Sequence, residues 1–270
     1  TYTVSAYIDL AEGSYDEKGL TVSYLNTPAI STISNAASGI NITWKRVDGA
    51  VKYRVFRKKG TESWTRIADT GSTNYTDRSA ASGTIYAYTV RCIKADGKFA
   101  SDYDKNGKSL IRLSTGNVKS IANAAKGMRL TWTKINGAQG YIIYRAYGSG
   151  AYKAIKTITS GTTLNYTDTS ATVNGGKYSY AVCGYRGSVK GAYTGKSYYC
   201  LTQNRISSVT NSAAGRATVA WSQNAKATGY QVNYKTGNTQ KTVTVKFYKT
   251  LRTVLSSLKR RATYSVKVRS

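Results

Sequence analysis

The stretch Leu130-Thr-Trp132-Thr-Lys-Ile-Asn-Gly137-Ala-Gln-Gly-Tyr141-Ile-Ile143-Tyr-Arg145 reads as two strands joined by a short turn. Leu130 and Trp132 point to one face, and Tyr141 and Ile143 return to it with a period of two. The same stretch stands earlier as Ile42-Thr-Trp44 and Tyr53-Arg-Val55, and later as Val219-Ala-Trp221 and Tyr230-Gln-Val232. Trp44 and Trp132 lie 88 residues apart, and Trp132 and Trp221 lie 89 apart. The chain is therefore a tandem array.

Working outward, residues 27–113 form a complete repeat. An opening run Ile30-Ser-Thr-Ile33 is followed by the two strands around Trp44 and Tyr53, then Trp64-Thr-Arg-Ile67, Asn74-Tyr75-Thr-Asp77 and a closing pair. Residues 114–202 repeat this order, through Tyr152-Lys-Ala-Ile155 and Asn165-Tyr166-Thr-Asp168. Residues 203–270 begin likewise, then replace the Asn-Tyr-Thr-Asp run with Arg252-Thr-Val254-Leu255, and they lack the last strand. Residues 1–26 match the end of a repeat, with Gly19, Gly107 and Gly195 each 88 apart, and are expected to be its closing hairpin. No segment carries a capped helical period. About seven short alternating runs per repeat, separated by Gly, Asn and Ser turns, predict an all-β chain of antiparallel two-sheet sandwiches. The short joins predict a stiff rod.

These residues resemble the fibronectin type III family. The resemblance rests on the Trp of the second strand, the Tyr-x-Val of the third (Tyr53, Tyr141, Tyr230) and the Tyr-x-Tyr-x-Val of the sixth (Tyr86-Ala-Tyr-Thr-Val90, Tyr178-Ser-Tyr-Ala-Val182). The Asn-Tyr-Thr-Asp turn and the closing Gly-Lys-Ser resemble the subtype found in tandem on secreted proteins of anaerobic Gram-positive bacteria. The resemblance implies an extracellular spacer, adhesive or accessory role, often beside a catalytic or carbohydrate-binding module. It names no ligand, because one fold hosts many functions.

Charge and composition narrow the chemistry. There is no histidine among the 270 residues, which removes Ser-His and Cys-His nucleophile pairs and the commonest transition-metal ligand. Within 114–270 the only acidic side chain is Asp168, so two-carboxylate glycoside chemistry has no residues there. No catalytic residue, metal or cofactor is expected. Asp96, Asp102 and Asp104 lack the ligand spacing of a calcium loop, and Asp77 and Asp168 are expected to hold their own turns. No run approaches the roughly 18 apolar residues that span a bilayer. The chain opens on Thr1 without a signal peptide and reads as a monomeric piece of a longer protein.

Net charge is +28 and climbs along the chain: −3 over 1–26, +8 over 27–113, +10 over 114–202 and +13 over 203–270. The rise, with Lys259-Arg260-Arg261 in an acid-free repeat, points to an acidic partner such as an acidic polysaccharide, wall teichoic acid or a host glycan or protein. No nucleic-acid-binding motif accompanies it. Trp44, Trp132 and Trp221 read as core. Trp64, Tyr147, Tyr152, Tyr185 and Tyr193 fall near an edge strand or loops, where a ring either stacks on a sugar or covers an edge or a joint between repeats. Among the three cysteines, Cys92 continues an inward alternation, while Cys183 and Cys200 are expected to face outward, where a disulfide between them is open.

Overall fold

The computed structural model describes residues 4–8, 11–19 and 24–270. Of the two strands expected within 1–26, Tyr2, Thr3 and residues 20–23 lie outside those residues. What is described there is a two-stranded ladder of β1 (Tyr7–Ile8) and β2 (Ala11–Glu12), together with Leu25, whose N–H donates to Ala100 O at 2.7 Å.

The next seven strands are β3 (Ile30–Ala36), β4 (Gly39–Trp44), β5 (Lys52–Lys59), β6 (Thr65–Thr70), β7 (Asn74–Asp77), β8 (Ile85–Ile93) and β9 (Lys108–Ile111). They form two antiparallel sheets, ordered β3-β4-β7 and β6-β5-β8-β9. Strand β5 alternates because Tyr53 and Val55 bury while Arg54 and Phe56 do not. The facing sides close on Ile40, Ile42, Trp44, Tyr53, Val55, Tyr88, Val90 and Cys92.

Strands β10 (Gly116–Asn123), β11 (Met128–Trp132), β12 (Gly140–Tyr147), β13 (Lys153–Ile158), β14 (Asn165–Asp168), β15 (Lys177–Arg186), β16 (Val189–Lys190) and β17 (Tyr193–Tyr199) build the second sandwich. Its halves β13-β12-β15-β17 and β10-β11-β14 are joined because the start of β10 pairs in parallel with β17, Gly116 opposite Tyr193. The third comprises β18 (Ile206–Ala213), β19 (Arg216–Trp221), β20 (Tyr230–Thr236), β21 (Thr239–Val245), β22 (Arg252–Leu255) and β23 (Ser265–Arg269), in sheets β18-β19-β22 and β21-β20-β23. No helix forms among the described residues. The all-β sandwich architecture expected from the period of two is the one observed. A methyl group on Gly39 or Gly127 would overlap the carbonyl oxygen of Asp77 or Asp168, which is why both repeats keep glycine there.

The chain divides into two compact units. One gathers Thr1–Thr115 with the loops Ile135–Ala138 and Arg186–Ala192, and the other gathers Gly116–Lys134, Gln139–Tyr185 and Tyr193–Ser270. In the first, Ser82 Oγ donates to Asn136 O at 3.2 Å and Asn35 Nδ2 to Lys190 O at 3.3 Å.

The cysteines correct the sequence reading. Cys92 is buried as expected, but Cys183 and Cys200 are only 1% and 2% exposed, and no disulfide joins them. Cys183 is on the face of β15 opposite Val182, the outer one, but Tyr144, paired with Ala181 on that face and stacked with Tyr193, helps to cover it. Cys200 turns inward, its thiol 3.1 Å from Ala171 O. The register Ala181↔Gly195 and Lys177↔Tyr199 sets Cys200 beside Gly176. That is seven residues along β15 from Cys183, or about 24 Å at the strand rise, whereas a bridge tolerates about 7 Å between Cα atoms.

Trp132 sits edge-on to Tyr141 with ring centroids 5.4 Å apart at the centre of the second core. Emptying that site by Trp132→Ala is expected to cost about 3–5 kcal/mol. Hydrogen exchange read by mass spectrometry should find β11, β12 and β15 deprotected while β4, β5 and β8 keep their protection.

Candidate functional site

Four of the five candidate aromatics are tied to glycines. Trp64 precedes β6 and lies over Gly107; Tyr152 precedes β13 and lies over Gly195. Tyr185 covers its cross-strand partner Gly140, and Tyr147 lies against Gly176. A Cβ at any of these glycines would meet the ring, so the aromatic supplies the packing that the glycine lacks. Trp64 and Tyr152 are 88 residues apart, as are the glycines beneath them.

Their surroundings differ. Tyr193 stacks on Tyr144 at 4.9 Å and meets Tyr152 edge-on at 6.1 Å, giving a three-ring cover over the outer face of the β13-β12-β15-β17 sheet. Tyr152 and Tyr193 remain 37% and 40% exposed. In the first unit, Trp64 has Tyr103 edge-on at 6.5 Å and Lys58 Nζ 4.7 Å from its centroid. Arg91 lies 3.6 Å from the Phe99 centroid and 5.3 Å from that of Tyr103, so alternating rings and cations cover the outer face in the first sandwich. Tyr147 pairs with Tyr178 at 5.0 Å, away from the other three. Within the second unit the structure thus brings Tyr152 and Tyr193 together, while Tyr147 packs on Tyr178 and Tyr185 on Gly140.

The basic triplet Lys259, Arg260 and Arg261 is an exposed turn between β22 and β23. Lys259 N–H donates to the Tyr264 hydroxyl at 2.9 Å, as Ala81 does to Tyr86 and Val173 to Tyr178. This is the tyrosine corner of immunoglobulin-like sandwiches. Register from that corner puts Arg261 where the other sandwiches have Gly83 and Gly175, and all three have positive φ. A left-handed arginine is uncommon.

Sequence reasoning missed two constellations. In the first sandwich, buried Asp77 accepts from Arg57 Nη1 at 2.8 Å, the Tyr88 hydroxyl at 2.7 Å, and the Ser79 N–H and hydroxyl at 3.0 and 2.7 Å. Asp168 repeats the set with Arg145, Tyr180 and Ser170. Each aspartate does hold its own turn, as expected, but it also anchors an arginine and a tyrosine that face each other across β5–β8 or β12–β15. Burial alone would raise both carboxyls, but the hydrogen bonds from serine, arginine and tyrosine outweigh it and hold them below the ordinary carboxylate range. Burial and the same carboxylates push the Tyr88 and Tyr180 hydroxyls up. In the third sandwich the corresponding residues are Leu255, Tyr234 and Val266, a packed apolar set.

The second constellation is the outer face of the β21-β20-β23 sheet. Opposite the buried Tyr230, Val232 and Tyr234, the alternation places Gln231, Asn233 and Lys235 on β20. Their partners are Thr244, Thr242 and Gln240 on β21, and Arg269, Lys267 and Ser265 on β23. The period of two alone could have found this face. Asp96, Asp102 and Asp104 do not converge: Asp96 accepts from Lys98 N–H, Asp104 from Asn106 N–H and Asp102 from the Tyr24 hydroxyl. No group of three potential metal ligands forms among the described residues.

No protein-family model matches the chain. It is 24% identical over 268 residues to Exoglucanase B of Cellulomonas fimi, a match that covers 88% of this chain and 23% of that protein. The chain thus spans less than a quarter of the curated relative it matches. Among solved structures it is similar to the FN1–FN3 domains of chicken CNTN1, at 16% identity and a TM-score of 0.36, covering 91% of this chain and 92% of that one.

The aspartates make a pH prediction. Because both native carboxyls are lowered, their contribution to stability is complete above the unfolded value of about 4. It drains away as pH falls through the depressed native values. Acid should therefore deprotect β7, β8, β14 and β15, while Asp168→Asn should flatten the acid response of β14 and β15 only. Hydrogen exchange across pH 2–6 reads both effects; an unchanged acid response in Asp168→Asn would assign the lability elsewhere.

Proposed function

We propose that the chain is a non-catalytic, ancillary array of β-sandwiches within a larger extracellular polysaccharide-degrading protein, where it spaces and holds a catalytic part on its polymer. The observation that carries this reading is the similarity, along nearly the whole chain, to a limited part of a protein named Exoglucanase B. The residues are in keeping with it: no histidine, and a single acid, Asp168, in 114–270, itself engaged by Arg145, Tyr180 and Ser170. The exposed rings Tyr152 and Tyr193 are the candidates for weak stacking on sugars. The test joins the chain to an unrelated glycan-hydrolysing domain and compares sugar release from insoluble plant cell wall and from a soluble oligosaccharide. The fusion should gain on the insoluble polymer and be unchanged on the soluble one, and the chain alone should release nothing. Equal rates with and without the chain on cell wall would overturn the proposal.

A second reading, an adhesive spacer on a cell surface, is favoured by the charge that climbs to +13 over 203–270. It makes wall teichoic acid or another acidic surface glycan the partner. It predicts that the chain pellets with Gram-positive walls and stays in solution when teichoic acid has been stripped from them. Equal pelleting with both walls would remove teichoic acid as the ligand.

A further inference from the structure

The outer faces of corresponding sheets differ among the three sandwiches. In the first, rings and cations cover the face and Thr89 is 1% exposed beneath them. In the second, Tyr144, Tyr152 and Tyr193 cover it over the buried Ala181 and Cys183. Register places Lys267 where Thr89 and Ala181 stand, and Arg269 where Arg91 and Cys183 stand. Both Lys267 and Arg269 are exposed. All nine outward residues of this face carry a hydrogen-bonding side chain, and three are cations. No acidic side chain occurs in 203–270 to neutralise them.

Hydrogen bonds within the face order its side chains. Arg269 Nε and Nη2 both donate to Gln231 Oε1, which holds the guanidinium along the sheet. Asn233 Nδ2 donates to Thr242 Oγ1 at 3.1 Å. Neighbouring strands set such groups about 4.8 Å apart, and same-face residues recur about every 6.8 Å along a strand. Gln231, Asn233, Gln240, Lys267 and Arg269 line an open groove of about 1050 Å³, with Tyr198 on its wall, 44% exposed. Amides and hydroxyls suit sugar hydroxyls, and the ring suits a pyranose face. The cations require negative charge, and carboxylates match both an ammonium and a guanidinium.

We propose that this face docks an extended uronic-acid polysaccharide, with Lys235, Lys267 and Arg269 pairing its carboxylates and Gln231, Asn233 and Gln240 its hydroxyls. The proposal deepens the reading of the chain as an accessory to polysaccharide breakdown. It differs from a role for the Lys259–Arg261 turn, which belongs to the tyrosine corner. The direct test is affinity electrophoresis of the full chain in gels containing polygalacturonate, with fully methyl-esterified polygalacturonate as the uncharged control. The chain should be retarded by the first polymer only, and salt should release it, since the Debye length shrinks from about 10 Å at 0.1 M to about 3 Å at 1 M. Three partly exposed ion pairs together amount to about a tenfold change in affinity, so Lys235→Ser/Lys267→Ser/Arg269→Gln should lose about that much. The charge-preserving Lys235→Arg/Lys267→Arg should keep its retardation, which separates lost charge from lost folding. Lys259→Ser/Arg260→Ser/Arg261→Ser should remain within about twofold. Three results would each overturn the proposal: a larger loss in the turn variant, equal retardation by the esterified polymer, or equally tight binding of duplex DNA. No catalytic domain takes part, so this test and the fusion test fail independently.

Discussion

Each sandwich is built on one contact, a tryptophan on its second strand packed at a steep angle against a tyrosine on its third. Centroid separations are 5.5 Å for Trp44–Tyr53, 5.4 Å for Trp132–Tyr141 and 5.4 Å for Trp221–Tyr230. The two strands belong to opposite sheets, so the pair clamps one layer to the other. All three indole N–H groups lack a protein hydrogen-bond partner among the described residues. A buried unpaired donor costs about 1–3 kcal/mol. Burying about 200 Å² of ring at about 25 cal/mol/Å² returns about 5 kcal/mol. Burial wins, and the arrangement recurs in all three repeats without any polar group to satisfy the nitrogen.

Around this contact the protein uses two solutions to one packing problem. The first and second sandwiches fill the space beside the sixth strand with an aspartate, an arginine and a tyrosine. The third fills it with Leu255, Tyr234 and Val266. The arginine lies over the corner tyrosine, 4.8 Å for Arg57 on Tyr86 and 5.7 Å for Arg145 on Tyr178, and Tyr234 takes that place beside Tyr264 at 6.2 Å. Buried ionic clusters and well-packed apolar replacements can be of similar stability, whereas breaking a cluster by removing one member is costly. The three positions must therefore change together, as they do here. The swap also removes the last carboxylate from the third sandwich, so its positive field is undiluted.

The period of two made the strands, the sheet faces and the tryptophan core legible from residues alone, because a half-buried strand writes its exposure into alternate positions. Strand β5 shows the rule at work, and Asn74–Asp77 and Asn165–Asp168, named a turn from their residue types, are the short strands β7 and β14. The same rule fails where burial comes from a third layer. It assigns Cys183 to the correct face but cannot foresee rings lying across that face. Nor does it report register, which parts Cys183 from Cys200 by the length of a strand pair. The partners of Asp77 were beyond reach for a related reason: Arg57 is 20 residues away and is joined to Asp77 only by the pairing of two sheets. Of the candidate site, the residue types were legible and their grouping was not, since Tyr152 and Tyr193 are neighbours only through β12, β15 and β17.

The glycines and rings explain why one face of one sandwich is left polar. On the outer sheets of the first and second, Gly107 just before the last strand and Gly195 within it leave gaps that Trp64 and Tyr152 fill, with Tyr103 or Tyr193 as the neighbouring ring. Once such a cover exists, the strand beneath it can be apolar, and Ala87, Ala181 and Cys183 are. The third sandwich has Thr242 and Thr244 on the outer face of β21, and both stay exposed. An uncovered face must be hydrated, and hydrated strands take side chains that water can satisfy. Solubility alone would be served by either sign of charge or by none. That every ionic residue on this face is a cation is a separate choice, and it is the one feature of the face that hydration does not explain.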